Sequence, residues 1–242
     1  DRWHIVKNPP ALPRVCRADE VISVCSDKGL NVARTLNNLG FEDYLCICIE
    51  GGKLGDLIHD AWESEGINGI PFKIQNENRV NTSIMREFDK STLSFNEPGP
   101  TLSDSEIKSF IETVSCVLED NPGAGLVISG SAPAGFDTES YKRMLNEARD
   151  LGRPIYADIG GKWLPAAVCG GLELLKINRE EFQLAFGFDG YYETDRLSEF
   201  MQEKGIKSIV LTNGSEGAMA LCGGDMLRCS LKENCGGGWA VG

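Results

Sequence analysis

The clearest chemistry in the sequence is a basic side chain next to glycine and asparagine where a helix is expected to begin. Lys28, Gly29 and Asn31 stand at this expected helix start. Since the first N–H groups of a helix lack partners within it, such a place binds anions, and a nearby ammonium group strengthens the binding. A loop that enters a surface helix explains the same residues, so both interpretations stay open at this point.

A second group of polar residues follows the apolar run at 172–177. Lys176, Asn178 and Glu181 come at the end of this expected strand and the start of the next helix. Asn178 and Glu181 are three residues apart, which puts them on one helix face, where they could hold a hydrated cation. An Asn N-cap with a Glu three residues later explains the spacing as well, and this structural role does not exclude the cation.

Two glycine-rich loops also follow apolar runs. Gly-Ser-Ala-Pro-Ala-Gly occupies 130–135, and Thr-Asn-Gly-Ser-Glu-Gly occupies 212–217. Loops at the carboxyl ends of strands line the edge of an open α/β sheet where ligands bind, and glycine lets the backbone approach a phosphate closely. An ordinary strand-to-helix loop and a hairpin turn are the simpler accounts of these two loops.

The elements that would position these residues alternate along the chain. Beyond Asn31, short apolar runs and amphipathic stretches follow one another, as is typical of βα units in a largely parallel sheet. The clearest helix has Ser103 as its N-cap and Glu106 as the partner in a capping box. Residues 1–25 and about 68–95 interrupt the alternation with β-rich sequence, and they predict a small separate sheet that serves as a lid.

Composition excludes several classes of partner. The 242 residues carry 24 Lys and Arg against 36 Asp and Glu, a net charge of −12, which argues against binding to nucleic-acid phosphates. The sequence has no apolar run long enough to span a bilayer and no signal peptide, so no membrane partner is expected. Nine cysteines without a C-x-x-C pair, and two histidines far apart, argue against a disulfide scaffold or a zinc site and favour a reduced, cytoplasmic protein.

The order of the motifs carries a resemblance to a known family. The chain contains, in order, K-G-x-N-V-A-R-x-L-x-x-L-G, R-x-N, N-E-P-G-P, G-S-x-P-x-G, K-x-N-x-x-E and T-x-G-x-x-G. This series resembles the ribokinase-like (PfkB) carbohydrate kinases, and within them the branch of 1-phosphofructokinase and tagatose-6-phosphate kinase. The resemblance implies one α/β domain over residues 1–242, with a mostly parallel central sheet flanked by helices. It also implies a β-sheet lid that often makes a homodimer contact.

The resemblance assigns roles to particular residues. The positions expected on the substrate side are Asp1, Arg17, Lys28, Gly29, Asn31, Arg79 and Ser131. The positions expected on the nucleotide side are Lys176, Asn178, Glu181, Thr212, Gly214 and Gly217. The implied cofactors are ATP and Mg²⁺, with Glu181 contacting the metal through water. The implied partner is a small sugar or sugar phosphate, and Lys28, Arg79 and Lys176 are where an acidic chain is expected to concentrate its useful cations.

The ends of the chain depart from the family pattern. Val241 and Gly242 align with the opening of the family's G-[AS]-G-D motif, whose aspartate is the catalytic base and whose helix start forms the anion hole. We therefore expect this aspartate, and the segments that complete the adenine pocket, beyond Gly242. Asp1 aligns with the last letter of the family's N-P-x-x-D motif, so the first strand is expected before it. The expectation is a chain truncated at both ends, with little turnover of its own.

An internal departure concerns the substrate. Ser26 and Asp27 replace the Gly-Gly that lets the backbone approach the sugar in this family. Their side chains narrow the site, and a carboxylate beside Lys28 repels a phosphate dianion. The leading interpretation is ATP-dependent phosphorylation of a sugar phosphate of the fructose 1-phosphate or tagatose 6-phosphate class. The alternatives are an inactive kinase-like binding or regulatory protein and a kinase for a non-phosphorylated sugar or a nucleoside.

Overall fold

The structure, a computed structural model, describes residues 1–6 and 17–230. Contacts within the chain group these residues into two compact units. Unit 1 runs over Asp1–Thr101, and unit 2 begins at Leu102. The expectation of one domain over residues 1–242 stays a prediction.

Unit 1 contains six strands and two helices within the described residues. They are β1 (Arg2–Val6), β2 (Glu20–Ser23), α1 (Lys28–Asn38), β3 (Cys46–Gly51), α2 (Gly52–Ser64), β4 (Gly69–Ile74), β5 (Asn81–Arg86) and β6 (Ser91–Asn96). Four of these strands form one sheet in the order β2-β1-β5-β6. This is the small separate sheet that the sequence predicts, and it is called the lid sheet below.

One strand was assigned to the wrong sheet by the sequence pattern. The predicted lid segment 68–95 includes β4, but β4 pairs in parallel with β3 and forms a second, two-stranded sheet with it. Gly69 faces the ring of Trp62 so closely that an added Cβ would lie 2.8 Å from it, which ties β4 to α2. The lid contribution of this segment therefore begins only at β5. The part of the lid prediction at 7–16 lies outside the described residues.

Unit 2 contains the longer α/β alternation. Its elements are α3 (Asp104–Asp120), β7 (Leu126–Ser129), α4 (Thr138–Asp150), β8 (Ile155–Asp158), α5 (Leu164–Val168), β9 (Leu172–Asn178), α6 (Arg179–Phe186), α7 (Thr194–Lys204), β10 (Ile206–Thr212), β11 (Ala218–Cys222) and β12 (Asp225–Cys229). The sheet order is β12-β11-β10-β9-β8-β7. Strands β7 to β10 are parallel, and β11 and β12 continue the sheet as antiparallel neighbours. The predicted α/β class is confirmed.

Local sequence signals explain where the helices of unit 2 begin and which face they bury. Ser103 caps α3 and exchanges hydrogen bonds with Glu106, so the predicted capping box is confirmed. The apolar residues of α3 recur at helical spacing and form a buried stripe. Its buried members are Ile107, Ile111, Val114 and Leu118. No helix within residues 1–6 and 17–230 is both long and apolar enough to cross a membrane.

A buried carboxylate fastens α2 to the strands beneath it. Glu50, on β3, is 1% exposed, and its Oε1 accepts a hydrogen bond from Trp62 Nε1 at 2.8 Å. His59 Nδ1 lies 3.1 Å from the same oxygen, and Lys73 Nζ on β4 lies 2.9 Å from Oε2. Burial alone would raise the pKa of the Glu50 carboxyl, but the hydrogen bonds from Lys73, Trp62 and His59 outweigh it and lower the pKa.

Replacing Glu50 with glutamine is expected to lower the free energy of unfolding at pH 7 by about 1–3 kcal/mol, since it removes a charged hydrogen-bond acceptor from a buried site. The stabilisation by a carboxyl with a lowered pKa is complete above its unfolded pKa of about 4.3 and is lost as pH falls through the folded value. The difference between wild type and Glu50→Gln should therefore persist from pH 7 to pH ~5.5 and shrink below pH ~4.

Urea unfolding followed by tryptophan fluorescence at several pH values measures this difference. Asp56→Asn is the matched control, because Asp56 is an exposed second partner of Lys73. An Asp56→Asn effect as large as that of Glu50→Gln would contradict the role assigned to the buried carboxylate.

Candidate functional site

The lid sheet brings several predicted substrate residues to one of its ends. Asp1 adjoins β1, and its carbonyl accepts a hydrogen bond from Val24 N at 2.8 Å. Strand β5 runs parallel to β1, with Arg2 opposite Thr82, so Arg79 precedes β5 at the same end. Lys28 follows β2 shortly after Val24. Asp1, Lys28 and Arg79 thus come from loops at one end of the lid sheet.

Arg17 does not join this group. It is exposed and lies before β2, and the neighbouring Asp19 donates a hydrogen bond from its N to Ile5 O at 2.9 Å. That contact is at the carboxyl end of β1, whereas Asp1 is at the amino end. Within unit 1, Arg17 therefore lies at the opposite end of the lid sheet from Lys28 and Arg79.

The start of α1 is capped by the chain's own carboxylate. Asp27 Oδ1 accepts hydrogen bonds from Gly29 N at 2.6 Å and from Leu30 N at 3.3 Å. Asp27 has extended backbone angles and is the N-cap of α1. The N–H groups that the sequence suggests as an anion site are thus already satisfied, and any anion bound here would depend on the side chain of Lys28.

Asn31 is also held by neighbours in unit 1. Its Nδ2 donates to Ser26 Oγ at 3.2 Å, and its Oδ1 accepts from Arg34 Nη1 at 2.6 Å. Arg34 in turn donates to Cys25 O at 2.8 Å and to Glu65 Oε1 at 2.9 Å. Ser26 and Asp27, the residues that replace Gly-Gly, therefore order the side chains around Lys28.

The N-E-P-G-P motif supports the loop that carries Arg79. Val80 N donates to Glu97 Oε2 at 2.9 Å, and Arg79 Nη1 lies 3.5 Å from Glu97 O. Arg79 is exposed, and Gly99 leaves room beside its guanidinium. The residues of N-E-P-G-P are typical of a turn. The contacts of Glu97 with Arg79 and Val80 show that this turn positions Arg79.

Two residues near Arg79 were missed by sequence reasoning. Asn78 accepts from Gly51 N at 2.5 Å and donates to Ile49 O at 3.1 Å, while Glu77 Oε1 accepts from Leu54 N at 2.6 Å and caps α2. A Cβ on Gly51 would lie 1.8 Å from Asn76 O, so only glycine fits there. These contacts attach the loop before Arg79 to the end of β3, and no local sequence motif predicts them.

In unit 2, strand register brings the nucleotide-side positions to one edge of the sheet. Thr212 lies opposite Asn178, Asp158 opposite Lys176, and Ser129 opposite Asp158. Strands β7 and β8 therefore end level with Lys176, and β9 and β10 end together two residues farther toward the same edge. Ser131 follows β7 directly at this edge, where Gly130 N donates to Asp158 O at 2.9 Å.

Lys176 meets an acidic partner at this edge that the sequence analysis did not single out. Lys176 Nζ lies 3.1 Å from Asp158 Oδ2. Asp158 is the last residue of β8 and precedes Gly160 and Gly161. An acidic residue at the end of an expected strand, followed by two glycines, is the sequence signal that would have indicated Asp158. Asp158 holds the lysine at the edge where an anionic ligand would meet it.

Asn178 and Glu181 occupy the first turn of α6. Asn178 Oδ1 accepts from Glu181 N at 2.8 Å, so the predicted N-cap is confirmed. The Glu181 carboxylate lies against Gly160, where an added Cβ would sit 3.2–3.3 Å from it. Carboxylate oxygens of Asp158 and Glu181 are ligands that suit Mg²⁺ and its bound waters, so the donor set fits this ion.

Arg179 turns away from this edge toward the loop after α6. Its guanidinium makes a bidentate ion pair with Asp189, with N–O distances of 2.6–3.1 Å, and lies 4.5 Å from the ring centre of Tyr192. The hydrogen bonds from Arg179 hold the pKa of Asp189 below its ordinary value. Within residues 176–181, Lys176, Asn178 and Glu181 thus belong to the candidate site, whereas Arg179 anchors α6.

The turn at 212–217 connects β10 to β11. Asn213 N donates to Gly217 O at 2.8 Å, which closes the hairpin predicted as the simpler account. Gly217 has φ = 96°, and a Cβ there would lie 1.9 Å from Cys229 O, so this glycine is required by β12 packing. Gly214 has φ = 52° with open space around it. Gly214 therefore has no such packing role.

A cavity of about 600 Å³ lies at the other edge of the same sheet. Arg149, Arg153 and Lys207 are among its lining residues, at the amino ends of β8, β9 and β10. Arg149 Nη2 donates to Ala167 O at 3.0 Å and to Gly171 O at 3.3 Å, so its guanidinium fastens backbone there. This cavity contains none of the predicted site residues.

Val241 and Gly242, which align with the opening of the catalytic motif, lie outside the described residues. Within residues 1–6 and 17–230, no three His, Cys, Asp or Glu side chains group as metal ligands.

Comparison with known proteins assigns the family. A model of the pfkB family of carbohydrate kinases matches residues 28–230. The chain belongs to this family.

Solved structures of kinases share the fold. Escherichia coli phosphofructokinase-2 in complex with fructose-6-phosphate superposes with a TM-score of 0.85 at 25% identity, covering 97% of this chain and 78% of that chain. The tetrameric inhibited form of the same enzyme gives 0.83 at 24% identity, with coverage of 95% and 75%. A Thermotoga maritima protein described as a possible 1-phosphofructokinase gives 0.81 at 20% identity, with coverage of 96% and 74%. The predicted ribokinase-like fold is confirmed.

Proposed function

We propose that this chain acts in the ATP-dependent phosphorylation of a sugar phosphate hydroxyl, with fructose or tagatose phosphates as the substrate class. The observation that carries the proposal is the strand register at the carboxyl edge of the unit 2 sheet in a PfkB-family chain, which places Asp158 beside Lys176 and Thr212 beside Asn178. The fructose-6-phosphate complex of the E. coli neighbour supports the same class.

The nucleotide side is proposed at this edge. Lys176 would neutralise charge on the ATP phosphates, and Thr212 with Gly214 would line the path to the nucleoside. Asp158 and Glu181 would hold the water shell of Mg²⁺, which supplies further positive charge to the phosphates when it is bound. Phosphoryl transfer depends mainly on positioning and on charge neutralisation, and these residues provide both.

The sugar side is proposed in unit 1. Lys28 and Arg79 would hold the phosphate already on the sugar, because both carry exposed positive charge at one end of the lid sheet. Asp1, Gly29 and Asn31 would contact sugar hydroxyls. Ser131, at the carboxyl edge of the unit 2 sheet, is proposed as a substrate-binding residue by its match to the family motif. The base that takes the hydroxyl proton is proposed as the aspartate of the motif that opens at Val241 and Gly242.

A second candidate, a kinase for a non-phosphorylated sugar or nucleoside, is favoured by one observation. The Asp27 carboxylate occupies the N–H groups of Gly29 and Leu30 and stands next to Lys28. Because these N–H groups already donate to the Asp27 carboxylate, a phosphate dianion at this helix start would be repelled by the carboxylate and would gain no hydrogen bonds from the N–H groups. Neutral hydroxyl groups do not meet this repulsion.

The lid sheet is the proposed homodimer contact. Register along the sheet puts Val21, Leu93 and Phe95 on the same face, and each is more than half exposed. The opposite face buries Met85. Apolar side chains on an exposed sheet face favour association with a second copy of the chain.

The cytoplasm is the proposed location. The seven cysteines of the described residues are free thiols, which supports a reducing compartment.

Kinase activity is tested by calorimetric titration with MgATP and by coupled ADP release with fructose 6-phosphate, fructose 1-phosphate and tagatose 6-phosphate. Because the proposed base belongs to the motif that opens at Val241 and Gly242, the ADP assay uses a protein that extends through this motif, and we expect little ADP release from residues 1–242 alone. With the extended protein, we expect ADP release that depends on a phosphorylated sugar. Arg79→Ala should raise KM for that sugar by roughly 10-fold to 100-fold, because a charge-assisted hydrogen bond contributes about 1.5–3 kcal/mol, and kcat should change little.

Arg86→Ala is the control, since Arg86 lies at the other end of β5 and pairs with Asp89. Binding of MgATP and sugar phosphate without ADP release would favour the inactive binding protein. Failure to bind either ligand would overturn the proposal.

The second candidate is tested with Asp27→Asn, which keeps a capping side chain and removes its charge. If that candidate is right, the wild type binds fructose more tightly than fructose 6-phosphate. The variant should then gain roughly threefold to tenfold in affinity for fructose 6-phosphate, because a like charge next to the ligand is removed. Asp137→Asn, at the N-cap of α4, is the matched control. Tighter wild-type binding of the phosphorylated sugar, unaffected by Asp27→Asn, would exclude this candidate.

The dimer is tested by light scattering coupled to size exclusion. Phe95→Glu should convert the wild-type dimer to a monomer, because it buries a charge in the apolar contact. Leu184→Glu, on an exposed position of α6, should leave the dimer intact. A monomeric wild type, or a dimer that tolerates Phe95→Glu, would refute the lid contact.

A further inference from the structure

Two thiols lie side by side on β3. Cys46 and Cys48 are two residues apart in the strand, so their side chains point to the same face. Their Sγ atoms are 3.7 Å apart. Both cysteines stand in an apolar run of the sequence, where a thiol packs as a small apolar side chain, and their contact gives them a chemistry of their own.

The pair lies in the core that supports the start of α1. Cys48 is buried in a cluster with Leu30 and Ala33 of α1, and Cys46 packs against the same cluster while remaining partly exposed. Leu30 is also one of the two residues whose N–H groups bind Asp27. A change in the shape of β3 at these thiols would therefore act directly on the first turn of α1.

The two sulfurs differ in their electrostatics. The Cys48 S–H donates to Cys46 Sγ, and this hydrogen bond lowers the pKa of Cys46, against the opposing effects of burial and of the Asp27 charge. The same bond raises the pKa of Cys48, and burial raises it further. Cys46 is thus the better nucleophile, and Cys48 remains a protonated neighbour.

We propose that Cys46 and Cys48 are a redox pair that a small peroxide converts into a disulfide within β3. The geometry that carries the proposal is the Sγ–Sγ contact of 3.7 Å on a strand whose outer thiol is partly exposed. The chemistry is independent of the proposed kinase activity.

The reaction balances with hydrogen peroxide as the oxidant. The Cys46 thiolate attacks one peroxide oxygen, the O–O bond breaks, and the released hydroxide takes a proton to leave as water, which leaves a sulfenic acid on Cys46. Cys48 sulfur then attacks Cys46 sulfur, and the sulfenic oxygen leaves as a second water with the Cys48 proton. Two thiols have lost two hydrogen atoms, and one peroxide has become two waters.

Forming this disulfide requires β3 to bend locally and leaves the bond strained. Residues two apart on one face of a straight strand have their Cα atoms, and their Cβ atoms, roughly 6.6 Å apart, whereas a disulfide holds its Cβ atoms at about 3.5–4.5 Å. The sulfurs must approach by about 1.7 Å from their 3.7 Å contact to reach a bond length of about 2.05 Å. Cys48 lies opposite Pro71, which has no N–H to donate to β3. The pairing of β3 with β4 is therefore weaker at this point, and β3 deforms more easily there. A strained bond is easily reduced, as expected of a reversible modification.

The test uses the full chain, reduced and then exposed to hydrogen peroxide. Remaining thiols are alkylated, and the protein is digested with trypsin. Residues 35–53 form one tryptic peptide, and Cys46 and Cys48 are its only cysteines. We expect most of this peptide to become two hydrogen atoms lighter and unalkylated, and to recover two alkylated thiols after dithiothreitol.

A second measurement reports on α1. Amide hydrogen exchange of residues 28–33 should become faster after oxidation and return to its original rate after reduction. Cys48→Ser should abolish the effect, and Cys116→Ser, which removes an exposed thiol in unit 2, should leave it unchanged. Three results would overturn the proposal: both thiols still alkylated while Cys116 is oxidised, separate sulfinic acids on Cys46 or Cys48, or a disulfide from either to another cysteine.

Discussion

The proposed site in unit 2 depends on the parallel register of four strands. Ser129, Asp158 and Lys176 are level, and Asn178 and Thr212 are level two residues farther along, so the loops that follow β7 to β10 all open on one edge of the sheet. The register also lets Lys176 pair with Asp158, which keeps a cation at this edge in a chain of net charge −12. A slip of one residue in any of these strands would turn its edge residue to the other face.

Several helices begin with backbone N–H groups that donate to side chains of the chain itself. Asp27 caps α1, Glu77 caps α2 from a distant loop, and Asn178 caps α6. Capping by carboxylates stabilises α1 and α2, and it also removes two places where an anion would bind backbone N–H groups. The proposed anionic ligands would therefore depend on the positive side chains Lys28, Arg79 and Lys176, two of which are anchored through neighbouring loops or strands.

The sequence predicted most of what is local. The Ser103 capping box, the Asn178 N-cap and the βα alternation of unit 2 follow from spacing and from capping residues within a few positions. The errors and omissions involve partners far apart in the chain. β4 has β-rich sequence that suits either sheet, and only its pairing with β3 decides between them. Asp158, Glu77 and Asn78 act through contacts 18 to 29 residues away, which no periodicity encodes. The contact between Cys46 and Cys48 follows from strand geometry, but the difference between their pKa values depends on which thiol donates the hydrogen bond and on burial.

The proposed nucleotide site lies at the carboxyl edge of β7 to β10. Amide hydrogen exchange of the full chain, with and without MgATP, tests this placement most directly. We expect slower exchange on MgATP binding in the loops at 129–131, 158–160, 178–181 and 212–217. We expect no change at 152–154, 170–171 and 205, at the amino edge of the same sheet. Protection confined to the amino edge, or no protection in unit 2 at all, would rule out this placement.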